Sequence, residues 1–208
     1  MRMRKKKNLI PRLDAVSHMF CETPEELHTV RGERELWVEL GCGMGTFATA
    51  TARENQNIFV AAIERISEAI VVAAERADGI QNIRFIRRDA AELEQWFAPG
   101  SINRLYIQFC DPWHKKKQGK RRLTHRNFLS IYSKLLSPNG ILVFKTDNVP
   151  LFEFTLEELE ASGWEIPEIS RDWHGDPLRA ADEPMTEYES KFFAKGQPIS
   201  RLITHPRG

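Results

Sequence analysis

Short apolar runs alternate with longer amphipathic segments through most of this chain, and this alternation is the feature that most constrains its fold. Apolar runs bounded by turn residues predict strands, and apolar residues spaced three and four apart predict helices. The sequence predicts strands at 36–40, 58–63, 83–86, 104–109 and 141–145, and helices at 46–54, 67–77, 91–97, 125–136 and 151–161. Because strands that alternate with helices pair in parallel through crossover connections, we expect a doubly wound α/β domain.

The two ends of the chain depart from this pattern. Residues 1–34 mix charges with prolines, show no clear periodicity and begin with a basic run, so we predict a flexible basic N-terminal arm with a short helix. The folded domain is predicted to span 35–208. After the last crossover helix we predict two further strands, at 164–170 and 189–194, joined by a loop rich in proline, glycine and aspartate.

Composition limits the class of protein. At 208 residues and 41% hydrophobic content the chain can bury a core of its own. Its three cysteines form no CxxC pair, which argues against a disulfide framework and against a structural zinc site. No apolar run reaches the roughly 18 residues of a membrane span, and no signal peptide is evident. We therefore predict a cytoplasmic protein that does not associate with membranes and holds no metal.

A carboxylate at the end of an apolar run is followed at once by a basic cluster. Asp111 ends the run, and six cations follow within eleven residues: Lys115, Lys116, Lys117, Lys120, Arg121 and Arg122. A net charge of only +1 argues against a general nucleic-acid coat protein, but a local cluster of this kind is typical of a surface that binds a phosphate backbone. The alternative is a solvated charged surface without a ligand.

A glycine loop between the first predicted strand and helix indicates a nucleoside cofactor. Gly41, Gly43 and Gly45 allow a sharp turn and a close approach of the backbone to a ligand. The dinucleotide fingerprint GxGxxG would need glycine or alanine where this chain has Thr46, which weakens a dehydrogenase interpretation. Glu39 stands just before the loop, and its negative charge favours a cofactor with an ammonium or sulfonium group over a pyrophosphate.

Two more acids follow the next two strands. Glu64 ends the second strand, where a carboxylate can accept both hydrogen bonds of a ribose diol. Asp89 follows the third strand and suits a contact with an adenine amino group. The alternative for both residues is a helix cap.

These residues carry a resemblance to known enzymes. The segment 39–45 followed by Glu64 and Asp89 resembles the cofactor site of class I S-adenosylmethionine-dependent methyltransferases. A narrower match runs from about residue 36 to 195 and rests on four ordered motifs, at 111–117, 120–123, 144–148 and 186–189. In this order they resemble the bacterial tRNA (guanine-N7)-methyltransferase family. His114 departs from the proline that many members have there.

The resemblance implies a fold, a reaction and a set of site residues. The fold is a Rossmann-like, doubly wound, mostly parallel seven-stranded sheet with helices on both faces. The reaction is transfer of a methyl group from S-adenosylmethionine to N7 of a guanine in tRNA, in the variable loop, without an obligate protein partner. Asp111 is the implied catalytic residue. The cofactor contacts are Glu39, Gly41, Gly43, Gly45, Glu64, Asp89 and Asp111, the substrate contacts are Lys115, Asp147, Thr186, Glu187, Tyr188 and Glu189, and the remaining cations at 116, 117 and 120–122 contact the RNA.

The chemistry of the base agrees with this set. Guanine N7 has a free lone pair and no hydrogen, so its methylation needs positioning rather than a general base. The Watson–Crick edge of guanine presents N–H donors that Glu189 or Asp147 can accept if the base leaves its stack. Trp113 either stacks on that base or packs in the core. His125 and His174 have no second ligand at metal spacing.

Three alternatives remain open from the sequence. An amino methyltransferase carries an Asp-Pro-Pro-Tyr-like loop after the fourth strand, but here Trp113 replaces the second proline. A cytosine-carbon methyltransferase needs a nucleophilic cysteine, whereas Cys110 ends a strand that looks buried. A non-catalytic RNA-binding module would explain the basic cluster and would leave the ordered acids without a role.

Overall fold

The computed structural model describes residues 8–177, 179 and 184–207. The strands in these residues are β1 (Glu35–Leu40), β2 (Ile58–Ile63), β3 (Ile83–Ile86), β4 (Ile102–Gln108), β5 (Leu136–Thr146), β6 (Trp164–Ser170) and β7 (Ser200–Pro206). The α-helices are α1 (Leu9–Ala15), α2 (Pro24–Arg31), α3 (Thr46–Glu54), α4 (Ser67–Arg76), α5 (Leu93–Trp96), α6 (Arg126–Leu135), α7 (Val149–Ala161) and α8 (Glu187–Phe193). Several predicted elements are confirmed to the residue: strands 58–63, 83–86 and 164–170, and helix 46–54.

The strands form a seven-stranded sheet in the order β3-β2-β1-β4-β5-β7-β6. The pairs β1 with β2, β2 with β3 and β4 with β5 are parallel. β7 pairs antiparallel with both β5 and β6. Helices cover both faces, so the predicted Rossmann-like, mostly parallel α/β fold is confirmed.

The described chain divides into two compact units between Phe97 and Ala98. In the first unit, β2 is buried along its whole length, which explains its uninterrupted apolar sequence, because a strand between two parallel neighbours faces helices on both sides. Small residues of α3 and α4, among them Ala48 and Ala73, pack with this strand in one apolar cluster. The glycine loop follows β1 within this unit.

The N-terminal residues form packed helices. α1, a short 3₁₀ turn at 17–19 and α2 precede the sheet, and Val16 and Met19 are buried in the same cluster as β2. The Cys21 N–H donates to the Phe85 carbonyl at 3.0 Å. We predicted a flexible arm with a short helix over residues 1–34, whereas residues 9–31 hold two α-helices and a 3₁₀ turn, whose apolar residues are too few to show a clear period. Residues 1–7, which hold most of the basic run, lie outside the described residues.

The second unit corrects one predicted element. The segment 189–194, which we predicted as a strand, is part of the helix α8, and the last strand is β7 at 200–206. The physical reason is a helix cap: the Thr186 hydroxyl accepts a hydrogen bond from the Glu189 N–H at 3.0 Å. The pattern of threonine followed three residues later by glutamate is a helix-start signal that the apolar residues 192–193 obscured.

Candidate active site

The glycine loop after β1 has open space beside it. Gly41, Gly43 and Gly45 have φ of +74°, +56° and +72°, a left-handed conformation that favours glycine. A Cβ at Gly45 would lie 2.6 Å from the Cβ of Ala73, so packing against α4 requires glycine there. A Cβ at Gly41 or Gly43 would meet no atom within 4 Å. The loop therefore exposes backbone to a free volume, as a ligand-binding turn does.

Glu64 fixes the shape of this loop. One carboxylate oxygen accepts a hydrogen bond from the Gly43 N–H at 3.3 Å, and the other accepts one from the Ile66 N–H at 2.8 Å. The N–H groups of Gly41 and Cys42 both donate to the Ile63 carbonyl, at the end of β2. Glu64 thus ties the glycine loop to the start of α4. Its predicted contact with a ribose stays a prediction.

Glu39 is a buried carboxyl group with an oxygen that lacks a partner among the described residues. The residue is 3% exposed, and its Oε2 atom has no hydrogen-bond partner there. The pKa of Glu39 is raised to about 8, chiefly by burial; a hydrogen bond with the backbone of Ala48 lowers it and the charge of Glu64 contributes to the rise. A positive ligand group would compensate the cost of ionising this carboxyl group. Glu39 and the open loop therefore fit a cofactor that bears a cationic group.

Asp89 caps the 3₁₀ turn that follows β3. Its Oδ1 accepts a hydrogen bond from the Ala91 N–H at 3.1 Å, and the Glu92 side chain accepts one from the Asp89 N–H at the same distance. Arg65 lies 3.4 Å from Oδ2. The capping role that we held open for Asp89 is present in the structure. Its predicted contact with adenine stays a prediction.

In the second unit, the segment after β4 has an unusual backbone. Phe109 and Trp113 have φ of +50° and +44°, a left-handed conformation that bulky residues rarely adopt. Asp111 lies between them and is exposed. Burial raises the pKa of the Cys110 thiol to about 12, and the charge of Asp111 adds to the shift. Cys110 is therefore a protonated thiol at neutral pH, which argues against a cysteine nucleophile.

Arg122 holds this segment in place. Its guanidinium donates to the carbonyl of Pro112 at 2.9 Å and to that of Trp113 at 3.2 Å, and it lies 4.2 Å from the ring centre of Phe154. Two of its N–H donors are thus directed at its own loop, and its predicted RNA contact stays a prediction. Arg121 lies over the Trp113 ring at 5.1 Å from the ring centre. Trp113 is half-buried, between the two alternatives that we held open for it.

The other members of the basic cluster are on a short 3₁₀ helix. Residues 116–121 form this helix, and Lys115 precedes it. The side chains of Lys115, Lys117, Lys120 and Arg121 are exposed. The exposed cations suit a phosphate backbone, and their predicted RNA contacts stay predictions.

The residues at 186–189 form the first turn of α8 and its cap. Glu187 is half-buried and Tyr188 is 44% exposed, whereas Glu189 is fully buried. Asp147, just after β5, accepts a hydrogen bond from the Gln197 side chain at 3.4 Å. The structure thus places the predicted substrate residues on α8 and at the end of β5, within the second unit.

Glu189 pairs with a residue that the sequence did not assign to the site. The Lys145 Nζ lies 3.2 and 3.4 Å from the two carboxylate oxygens of Glu189, and both side chains are buried. The signal that could have found Lys145 is its position at the end of the apolar run of β5, because a lysine on a buried strand needs a partner. His174 Nε2 lies 3.3 Å from the same carboxylate.

Comparisons with known proteins agree with these features. The family model described as "Putative methyltransferase" matches residues 33–202. The tRNA (guanine-N(7)-)-methyltransferase of Lachnoclostridium phytofermentans is 37% identical, with 91% of this chain and 90% of that protein covered. The protein of the same name from Lactococcus lactis subsp. cremoris is 37% identical, with 97% and 96% covered. The chain belongs to the tRNA (guanine-N(7)-)-methyltransferase family.

Solved structures support the fold of this family member. The 16S rRNA methyltransferase KamB has a TM-score of 0.66 at 13% identity, with 90% of this chain and 95% of that chain covered. An antibiotic-related methyltransferase has a TM-score of 0.65 at 18% identity, with 88% and 94% covered. At these identities the similarity concerns the fold alone.

Metal-ligating and membrane-spanning features are both missing from the described residues. These residues contain no group of three or more histidine, cysteine, aspartate or glutamate side chains that could hold a metal ion. In the same part of the chain, no helix has both the length and the apolar content to cross a membrane.

Proposed function

We propose that this protein transfers a methyl group from S-adenosylmethionine to N7 of a guanine in tRNA. The observation that carries the proposal is the 37% identity, over nearly the whole chain, to proteins named for this activity. Glu39 and the open glycine loop support it independently, because they fit a cofactor with a positive charge. We further propose that the protein acts in the cytoplasm, that it needs neither a metal nor a protein partner, and that the target is in the variable loop.

Within the first unit, we propose that the glycine loop and three acids hold the methyl donor. When bound, S-adenosylmethionine supplies a methyl carbon on a sulfonium sulfur, which the free lone pair of guanine N7 attacks without a general base. Glu39 would balance the positive charge of the donor. Glu64 would accept hydrogen bonds from the ribose hydroxyls of the donor while it also accepts one from the Gly43 N–H. Asp89 would accept a hydrogen bond from the adenine amino group through a carboxylate lone pair that is not used in capping the 3₁₀ turn.

Within the second unit, we propose that the other predicted residues handle the base and the RNA. Methylation leaves a positive charge on the purine, and the exposed carboxylate of Asp111 would stabilise that charge. The first turn of α8 and Asp147 would read the guanine. The exposed cations Lys115, Lys117, Lys120 and Arg121, together with Lys116, would contact phosphates and set the register of the RNA without reading its sequence.

The test is incubation of the purified protein with S-adenosylmethionine labelled in its methyl group and with bulk tRNA, followed by nucleoside analysis. We expect the label in 7-methylguanosine, and less of it when S-adenosylhomocysteine is added as a competitor of the labelled donor. Label on a carbon atom or on an exocyclic amine would overturn the assignment to N7. Absence of any label would overturn the proposed activity itself.

A further inference from the structure

A buried ion pair joins the strand β5 to the helix α8. The side chains of Lys145 and Glu189 are 1% and 0% exposed, and the ammonium faces both carboxylate oxygens. The Thr186 cap fixes the backbone of Glu189, since the Thr186 hydroxyl accepts from its N–H. Isolated buried charges are costly, so removing either member of this pair would leave the other as an uncompensated buried charge.

The charge of Glu189 decides which hydrogen bonds it can make. An ionised carboxylate is an acceptor only, whereas a protonated carboxyl group is both a donor and an acceptor. The Watson–Crick edge of guanine presents two neighbouring donors, N1–H and N2–H, which suit an ionised carboxylate. Adenine presents an acceptor beside a donor and suits the protonated form. A buried carboxyl group that lost its cation would take up a proton, and its preference for guanine would fall.

His174 does not supply a second cation. Its Nε2 lies 3.3 Å from Glu189, but neither ring nitrogen makes a hydrogen bond within the described structure. Burial is the largest cause that lowers the pKa of His174, with Arg179 and Lys145 lowering it further, while Glu189 and Asp172 act in the opposite direction. The imidazole is therefore neutral at neutral pH, and Lys145 is the cation that faces the carboxylate.

The surroundings of the pair define how a base could reach it. The His174 ring stacks on Phe193 with the ring centres 4.2 Å apart, and its Nε2 lies 3.3 Å from a carboxylate oxygen of Glu189. Arg201 is directed elsewhere, because it stacks on Trp173 and pairs with Glu168. Since Glu189 has no exposed surface, a base reaches it only when a covering side chain moves, and the His174 ring has no hydrogen bond within the described residues to give up when it does so.

We propose that Lys145 is a positioning residue that holds Glu189 as an ionised acceptor and thereby sets the preference of the base site for guanine. This inference rests on the proposed function, in which Glu189 reads the target guanine. It adds a residue on β5 to the determinants of specificity and gives the buried ion pair a role other than stability.

The test compares Lys145→Met with the wild type in the tRNA methylation assay between about pH 6 and about pH 8.5. At the lower pH we expect kcat/KM of the variant to be lower by about 10- to 100-fold, because a protonated Glu189 cannot accept both guanine donors. The ratio of variant to wild type should rise with pH as the carboxyl group loses its proton. In the double variant Lys145→Met with Glu189→Gln, which cannot ionise, the rise should vanish.

Binding of S-adenosylmethionine to both variants, measured by equilibrium dialysis, controls for folding. Two results would overturn the positioning role: a ratio of Lys145→Met to wild-type kcat/KM that stays constant with pH, or the same rise of this ratio in the double variant Lys145→Met with Glu189→Gln. Either result would mean that the ion pair contributes only to stability. Should Lys145→Met fail to bind the cofactor, Lys145→Arg takes its place: it keeps the cation and should restore most of kcat/KM at low pH. Failure of that rescue in a folded variant would also overturn the role. A wild-type protein without methylation activity would instead overturn the proposed function.

Discussion

Each of the two units contains a buried glutamate, and the two differ in what balances their charge. Glu189 in the second unit is paired with Lys145 of the same chain. Glu39 in the first unit has an oxygen without any hydrogen-bond partner among the described residues and a pKa raised to about 8 by burial. A buried carboxyl group with no cation is costly to ionise and is seldom kept for stability alone.

The chain itself supplies the cation that faces Glu189, whereas we expect a bound ligand to supply the cation that faces Glu39. Glu189 has its counter-ion in the free protein, so its charge and position are set before any substrate arrives. Glu39 sits before a loop with open space at Gly41 and Gly43, where a positive ligand group would serve as its counter-ion. We therefore interpret the first unit as the part that responds most to the cofactor, and the second as the part prepared for the base.

The largest effect is expected at Asp111, the exposed carboxylate after β4. Asp111→Ala should lower kcat for tRNA methylation by about 100- to 1000-fold, because it removes the carboxylate that we propose stabilises the charge on the methylated purine. Single-turnover rates with labelled S-adenosylmethionine measure this. Glu160→Ala, at an exposed acid of the second unit, is the control and should keep most of the activity. A near-normal single-turnover rate for Asp111→Ala would remove it from the catalytic machinery.

The next largest effect is expected on the free energy of unfolding, which should fall when Glu189 loses its cation but not when Glu39 is replaced. Lys145→Met should lower the free energy of unfolding by about 3 kcal/mol, because it leaves the Glu189 carboxyl group buried without its cation. Glu39→Gln removes an unpaired acid and should leave that free energy within about 0.5 kcal/mol of the wild type or raise it. Urea denaturation of both variants and of the wild type measures the contrast. Equal losses in the two variants would mean that the glutamates are balanced in the same way.

The affinity for S-adenosylmethionine should depend on Glu39 more than on the Lys145–Glu189 pair. Glu39→Gln should weaken the binding of S-adenosylmethionine by about 10-fold or more at about pH 8, because an amide cannot form a charge-assisted interaction with the cationic donor. In the wild type the affinity should rise as pH increases toward about 8, since a protonated Glu39 must lose its proton to bind a cation. Equilibrium dialysis at several pH values checks both statements. An affinity that is independent of pH in the wild type would show that Glu39 does not face the cation.

The smallest effect concerns the basic cluster. Replacing Lys115, Lys116 and Lys117 together by alanine should reduce the slope of log affinity for tRNA against log salt by about 0.7 to 0.9 for each phosphate that the variant no longer neutralises. Arg87→Ala, at an exposed cation of the first unit, is the matched control and should leave the slope unchanged. Filter binding over a range of salt concentrations measures both. An unchanged slope in the triple variant would assign the lysines to solvent.

The sequence predicted the sheet well where its signals are local. β2 is a continuous apolar run and α3 directly follows a glycine turn, so the hydrophobic pattern and the turn residues indicate the same boundaries. Both elements have the predicted bounds. The strand predicted in place of α8 was wrong because the polar cap at Thr186 outweighs the apolar residues near the end of the helix. The N-terminal arm was predicted to hold a short helix, but its packing was not predicted, because Val16 and Met19 are buried against distant residues, which a local pattern does not record.

The candidate site could be predicted in part. Its acids follow strand ends, and strand ends are visible in a sequence, so Glu39, Glu64 and Asp111 were found as candidates. The partners of those groups were not visible. Arg122 is one of several similar cations in its segment, and only the structure shows that it donates to Pro112 and Trp113. The pairing of Lys145 with Glu189 joins residues 44 positions apart, and the sequence has no signal for it.

The most direct test of the central claim is calorimetry of S-adenosylmethionine binding at about pH 7 in two buffers with different ionisation enthalpies. If a cationic methyl donor balances the charge of Glu39, whose Oε2 has no hydrogen-bond partner among the described residues, the wild type should release about one proton for each molecule bound, because a group with a pKa of about 8 must ionise. Glu39→Gln should release none. Binding without proton release in the wild type, equal release in the variant, or tighter binding of a pyridine dinucleotide would contradict the claim.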